Sequence, residues 1–160
     1  MPFFKARHRN ASYSVVADKI NQVIIPMSFD TGAVNTVISL SAYHNKRIDS
    51  EHFAKLIKDS VRHKTFHTAS GESLEGYLVC AEKVSISGFL LERFYYYLLP
   101  KKTDHSVALL GDDFISNCTF LHEAQGDIMV TGFDMESYHK GMQDAVSQNE
   151  VDRILRIERP

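Results

Sequence analysis

One tetrapeptide in this 160-residue chain has the makings of a reactive site: Asp30-Thr31-Gly32-Ala33, set between the apolar run Val23 to Phe29 and a second run from Thr36 to Leu40. The pattern predicts a carboxylate on a tight turn at the end of a buried strand. A carboxylate pressed against apolar strands loses hydration and needs a partner. Two carboxyls held about 3 Å apart cannot both ionise comfortably, so they share one proton and offer a base and an acid together. The chain contains no second Asp-Thr-Gly or Asp-Ser-Gly. A matching carboxylate is therefore expected from Asp30 of a second copy across a two-fold axis.

Asp-Thr-Gly alone is also an ordinary turn, because Asp bonds its own backbone and Gly takes positive φ without strain. The flanks argue for more. Ile24, Ile25 and Phe29 precede it, Val34, Val37 and Ile38 follow, and the small Gly32 and Ala33 let another backbone or a ligand come close. The Thr31 hydroxyl adds a bond that holds such a loop rigid. Asp112 and Asp113 are intramolecular alternatives for the second acid, but their place in the first turn of a short helix, where exposed amides favour negative charge, explains them without catalysis.

Other side chains that could do chemistry have plainer explanations. His63, His67 and His122 with Cys80 lack metal-ligand spacing, so no metal and no cofactor is expected. Phe94 to Tyr97 could stack on bases or sugars, but in a strand alternate members face core or a dimer contact. Cys80 and Cys118 show no zinc or redox pattern and read as two small hydrophobes in a reducing, cytoplasmic compartment. A formal net charge of -2 argues against nucleic acid as a partner. The basic cluster Lys5, Arg7, His8 and Arg9 reads as a solvated N-terminal arm over residues 1–12. No apolar run approaches the roughly 20 residues that cross a bilayer, and no signal-peptide core opens the sequence, so no membrane partner is expected.

The elements that must position Asp30 are mostly strands. Tyr13 to Ala17, Gln22 to Phe29 and Thr36 to Leu40 have the right composition, with Pro26 predicting an edge or a bulge. Ser50 can cap a helix with Phe53, Leu56 and Ile57 on one side. Long hairpins fill Arg62 to Leu99, with a turn at Ser87-Gly88. A strand from Val107 to Leu110 runs into the short helix, and strands from Cys118 and Asp127 close the β-rich unit at residue 134. Residues 135–160 form a helical extension, whose apolar stripe of Tyr138, Met142, Ala145 and Val146 is expected to pack on the chain's own β unit.

Three blocks in this order resemble the retropepsin-like aspartic proteases, single-domain relatives of pepsin. VIIPMSFDTGAVNTVIS is similar to the family's catalytic strand and loop, and ALLGDDFIS, Ala108 to Ser116, to its apolar-Gly-Asp signature. Between them HTASGESLEGYLVCAEKVSISG resembles the family's flap hairpin, with Gly71 and Gly76 around the bend. The resemblance covers about residues 13–133. It implies an all-β, closed pepsin-like barrel with a ψ-shaped core, a flap and short helices, over residues 13–134.

The same resemblance implies roles. Asp30 would be the catalytic aspartate, Thr31 the residue gripping the partner loop, Gly32 the close-packing glycine, and Ala33 part of the supporting loop. Ala69, Ser70, Gly71, Glu72 and Ser73 would supply the flap tip. Leu110 and Gly111 would pack beside the active-site loop, with Asp113 capping the short helix. The implied activity is endopeptidase hydrolysis of extended polypeptide by a homodimer, with water activated between two Asp30 carboxyls. The rival reading is a dimeric module of the same fold that binds extended peptides without cutting. Phe89, Leu91, Phe94 and Tyr96 are candidates for lining its half-clefts.

Overall fold

A computed structural model of the chain describes residues 3–9, 12–20, 23–43, 50–60, 62–67, 71–100 and 106–144. Among the described residues ten strands form one mixed sheet: β1 (Phe4–Arg9), β2 (Ser12–Ile20), β3 (Val23–Phe29), β4 (Val37–Ser39), β5 (His63–His67), β6 (Ser73–Ile86), β7 (Phe89–Leu99), β8 (Ala108–Leu110), β9 (Cys118–His122) and β10 (Ile128–Phe133). Their order is β5-β6-β7-β4-β8-β3-β2-β1-β10-β9, and β6 also pairs with β2 through Ala17–Ile86 and Asp18–Ser85. That extra ladder turns the sheet back on itself. Helices are few and short among the described residues: α1 (Ser50–Asp59), α2 (Asp112–Ile115) and a helical stretch, α3, over 135–144.

Alternation sets the register. In β3 the side chains of Val23, Ile25, Met27 and Phe29 are buried while Ile24 and Pro26 are exposed, the period-2 signature of a half-covered strand. Pro26 pairs with Val16 of β2, and β8 joins the other side of β3 only from Ser28 onward, so the residue without an N–H sits where no second ladder needs one. Strand β7 departs from alternation at its end, where Phe94, Tyr96, Tyr97, Leu98 and Leu99 are all buried. Phe94, Tyr96 and Leu98 enter the main core, whereas Tyr97 and Leu99 join Val37, Leu74 and Leu78 in a second cluster on the opposite face. The aromatic run is therefore core on both sides of the sheet. It leaves Leu91, Phe94 and Tyr96 no exposure with which to line a cleft.

Three expectations need correction. The N-terminal basic stretch is not a solvated arm: Phe4–Arg9 is strand β1, paired with both β2 and β10, and Phe4 and Ala6 are buried. Lys5 pairs with Glu123 at 2.9 Å, so its charge is matched across the sheet. Secondly, Gly76 is not at the flap bend but within β6, where a Cβ would stand 2.6 Å from the Phe66 ring and 3.0 Å from Leu99. It is glycine to admit Phe66. The third concerns Asp113 and is taken up with the site.

The start of α3 is fixed by Asp134, whose carboxylate accepts the Ser137 N–H at 3.0 Å and its hydroxyl at 2.8 Å, an N-cap arrangement. One turn in, Tyr138 is buried against Phe114, Phe133 and Tyr95, and its hydroxyl accepts the Tyr95 N–H at 2.9 Å. The described part of the extension thus packs on its own β unit, as its stripe predicts. Ala145, Val146 and the rest of the expected helix lie outside the described residues. No helix among the described residues is long and apolar enough to cross a membrane.

Candidate active site

Strand β3 delivers Asp30 at the point where the chain leaves the sheet, and β8 lies alongside it in parallel, pairing Ser28 with Leu109 and Phe29 with Leu110. On its other side β8 runs antiparallel to β4, the strand that follows the loop. One short strand is therefore inserted between the two arms of the Asp30 loop. The parallel β3–β8 contact continues past the strand end, with Asp30 N donating to Leu110 O at 3.0 Å.

From Leu110 onward the chain binds the loop from beneath. Asp112 N donates to Ala33 O at 2.7 Å and Asp113 N to Val34 O at 3.2 Å. Gly111 N donates to the Thr36 hydroxyl at 3.1 Å. The backbones approach so closely that a Cβ on Gly111 would lie 2.4 Å from the Asn35 carbonyl carbon and oxygen. Leu110 and Gly111 thus lie against the loop, joined to it by bonds and by close contact.

Within the loop, Gly32 N donates to Asp30 Oδ1 at 2.9 Å and Ala33 N to Asp30 O at 3.2 Å. Gly32 has only 3.3 Å between its Cβ position and the same carboxylate oxygen, so a side chain there would crowd the acid. Asp30 itself is half-buried, Thr31 and Gly32 are exposed, and Val34 is 70% exposed despite being apolar. The loop faces outward while its stem is buried.

Asp113 is where structure and expectation part. The N-cap of α2 is Gly111, with no side-chain cap bond, and Asp113 sits inside the first turn with Asp112. Its carboxylate reaches back to the loop, accepting the Thr36 N–H at 2.9 and 3.0 Å and the Thr36 hydroxyl at 2.6 Å. The reason is competition: a buried hydroxyl and N–H need an acceptor, and water cannot reach Thr36, which has no exposed surface. Burial raises the carboxyl above its ordinary value, opposed by those bonds from Thr36.

Sequence reasoning did not assign Thr36 a role. The available signal was a hydroxyl between Asn35 and the apolar Val37–Ile38, a position that demands a buried partner. Nor did it foresee Lys64, whose Nζ donates to Asn35 Oδ1 at 2.7 Å and so links strand β5 to the loop. Strands β5 and β6 form the expected hairpin, paired from His63–Tyr77 to His67–Ser73. Of its tip, Gly71 has φ +87°, Glu72 and Ser73 are exposed, and Ala69 and Ser70 lie outside the described residues.

No group of three potential metal-binding side chains occurs among the described residues. Cys80 and Cys118 are free thiols, each half-buried.

The fold is similar to that of a solved structure, a retropepsin-like aspartic protease from Rickettsia conorii, at 20% sequence identity over 78% of this chain and 86% of that one, with a TM-score of 0.52. No family model matches the chain, and no curated protein matches it.

Proposed function

We propose that this chain is one half of an aspartic endopeptidase, in which two copies bring their Asp30 carboxyls to either side of one water molecule and hydrolyse peptide bonds in extended polypeptide. The observation that carries this reading is the strapping of the outward-facing Asp30 loop to Leu110–Asp113, which immobilises one carboxylate per chain at the end of a buried strand. The fold shared with a solved retropepsin-like protease supports it. The other acids near α2 suit the role less well: Asp113 has its oxygens engaged by Thr36, and Asp112 belongs to the first helical turn.

In this mechanism the ionised Asp30 of one copy takes a proton from the water as its oxygen attacks the amide carbon. The protonated Asp30 of the other copy gives its proton to the carbonyl oxygen. Collapse of the resulting diol breaks the C–N bond: the leaving nitrogen takes a proton from the pair while one diol hydroxyl returns its proton to it, which leaves a carboxylic acid and the pair with its single proton. The β5–β6 hairpin closes over a substrate held by strand-type main-chain bonds. Because the working pair carries one proton, the rate optimum falls on the acid side of neutral.

The test is incubation of the native chain and Asp30→Asn with a mixed peptide library, scoring new termini by mass spectrometry, with sedimentation of both proteins. Cleavage by the native dimer alone supports the reading. Native-rate cleavage by Asp30→Asn, or a strictly monomeric active species, ends it. Peptide capture without new termini favours the non-cutting module.

A further inference from the structure

The hydrogen bonds at the end of the Asp30 loop converge on one carboxylate. A peptide N–H only donates, so the Thr36 hydroxyl must turn a lone pair to Gly111 N and its single hydrogen to Asp113 Oδ1. Asp113 also accepts the Thr36 N–H, and bonds from the Asn35 side chain and the Phe114 N–H favour its charged form as well. An ionised carboxylate accepts these bonds with its two oxygens. A protonated carboxyl is a weaker acceptor on both oxygens, so every one of these bonds loses the strength that the charge gives it.

The remaining ties between the loop and its support, at Asp30, Ala33 and Val34, are main-chain bonds that carry no charge dependence. Among the described residues, the ties to Asp113, from Thr36 and from the Asn35 side chain, depend on ionisation. The Thr36 clasp also lies next to Asn35, the residue that Lys64 of the flap strand holds. The state of Asp113 thus bears on the stem of the loop and on its contact with the hairpin.

We propose that Asp113 is a positioning residue of the Asp30 site: its ionised carboxylate, clamped on Thr36, holds the loop in the geometry that two Asp30 carboxyls need to share a proton, and neutralising it lowers turnover while the fold persists. This rests on the peptidase reading. Asp113 acts through Thr36.

The charged and titratable groups around Asp113 are few. A cleft of about 370 Å³ beside it is lined by Arg62, Tyr97 of β7 and Tyr138 of α3, and Asp112 precedes it on α2. Burial holds the hydroxyls of Tyr97 and Tyr138 protonated well past neutrality, so neither competes for the proton in acid. Desolvation raises the Asp113 carboxyl above its ordinary value, so mild acid reaches it sooner than an exposed aspartate. Turnover should therefore fall on the acid side through two processes, loading of the Asp30 pair and release of Thr36.

The test pairs kinetics with a readout that needs no activity. In Asp113→Asn one of the two Thr36 donors meets an NH₂ group whichever way the amide turns. This variant should lose about 10- to 100-fold in kcat, the scale of a small misplacement of reacting groups, with KM little changed. Its acid limb should reflect the Asp30 pair alone. Thr36→Ser, which keeps the hydroxyl, should turn over faster than Thr36→Val. In Asp30→Asn protein, which cannot cut, the backbone amide resonances of Thr36 and Gly111 should follow one acid titration in NMR spectra, absent when Asp113→Asn is added. Amides that ignore Asp113, or a fully active Asp113→Asn enzyme, overturn the inference. If the native chain cleaves nothing while the amides still titrate together, the clasp stands and the peptidase reading falls.

Discussion

Gly111 lies directly beneath Asn35, close enough that a Cβ on the glycine would stand 2.4 Å from the asparagine carbonyl carbon and oxygen. The glycine's φ of −102° is open to any residue, so space and not conformation excludes a side chain. Neither neighbour is a flexible side-chain end that could swing away. Gly111→Ala should push the 30–36 loop off its support, costing about 1–3 kcal/mol as overpacked sites do. Peptide cleavage, which depends on loop position, should fall further than melting temperature does. An alanine variant with native melting and native cleavage would show that the two segments are not packed as described.

A second prediction concerns stability and pH. Burial raises the Asp113 carboxyl in the folded chain, so its charge costs stability at neutral pH relative to the unfolded chain, and that cost is relieved as pH falls through the folded value towards the unfolded one. The sign is opposite to that of a salt-bridged aspartate. Unfolding by denaturant at a series of pH values, in native and Asp113→Asn proteins, should give a difference that moves in favour of the native chain on acidification. A difference that is flat, or that moves the other way, would mean that the Thr36 bonds outweigh burial. The local clasp and the global fold respond oppositely here: acid favours the folded state at Asp113 while it frees Thr36.

Strand β3, the Asp30 turn and the Leu110–Gly111 stretch beside it are legible because each combines an apolar run with a residue that has one job. The Ser87-Gly88 turn is legible for the same reason: Ser87 has φ 45° and Gly88 φ 96°, and β6 and β7 pair on either side of it. What sequence could not reveal was partnership across the fold. Lys5 to Arg9 looks like a solvated arm because alternating cations hide the buried Phe4 and Ala6, whose partners Val130 and Ile128 lie more than a hundred residues away. Gly76 looks like a bend until Phe66, on the neighbouring strand, is known to need its space. Asp113 looks like a helix-end carboxylate until Thr36 is brought to it from 77 residues earlier. In each case the local pattern misleads because the decisive neighbour is distant.

Tyr138 offers a test of how α3 is held. Its ring is 1% exposed, and its hydroxyl accepts the Tyr95 N–H, an amide of strand β7. Tyr138→Phe keeps the packing and removes the acceptor, leaving that N–H unmet at a cost of about 1–3 kcal/mol. Tyr138→Ala also opens a cavity among Phe114, Phe133 and Tyr95, and should cost about 3–5 kcal/mol, as other large aromatic truncations do. Denaturant titrations of the three proteins should rank them native, phenylalanine, alanine. A phenylalanine variant within about 0.5 kcal/mol of native would show that the hydrogen bond contributes nothing net.

The two thiols should differ in how folding protects them. Desolvation pushes Cys118 up to about 12, and its Sγ lies 3.8 Å from Phe114 O, so at pH 8 almost none of it is thiolate. Cys80 is raised less decisively, because Arg93 and a bond from Tyr95 pull against burial. Iodoacetamide reacts with the thiolate, so in the native protein Cys80 should be alkylated first and Cys118 only after denaturant unfolds the chain, where both titrate near their ordinary value. Peptide mass mapping at timed intervals distinguishes the sites. Equal native rates, or faster labelling of Cys118, would mean that the strand β9 and helix α2 junction opens far more often than its packing against the Phe114 core implies.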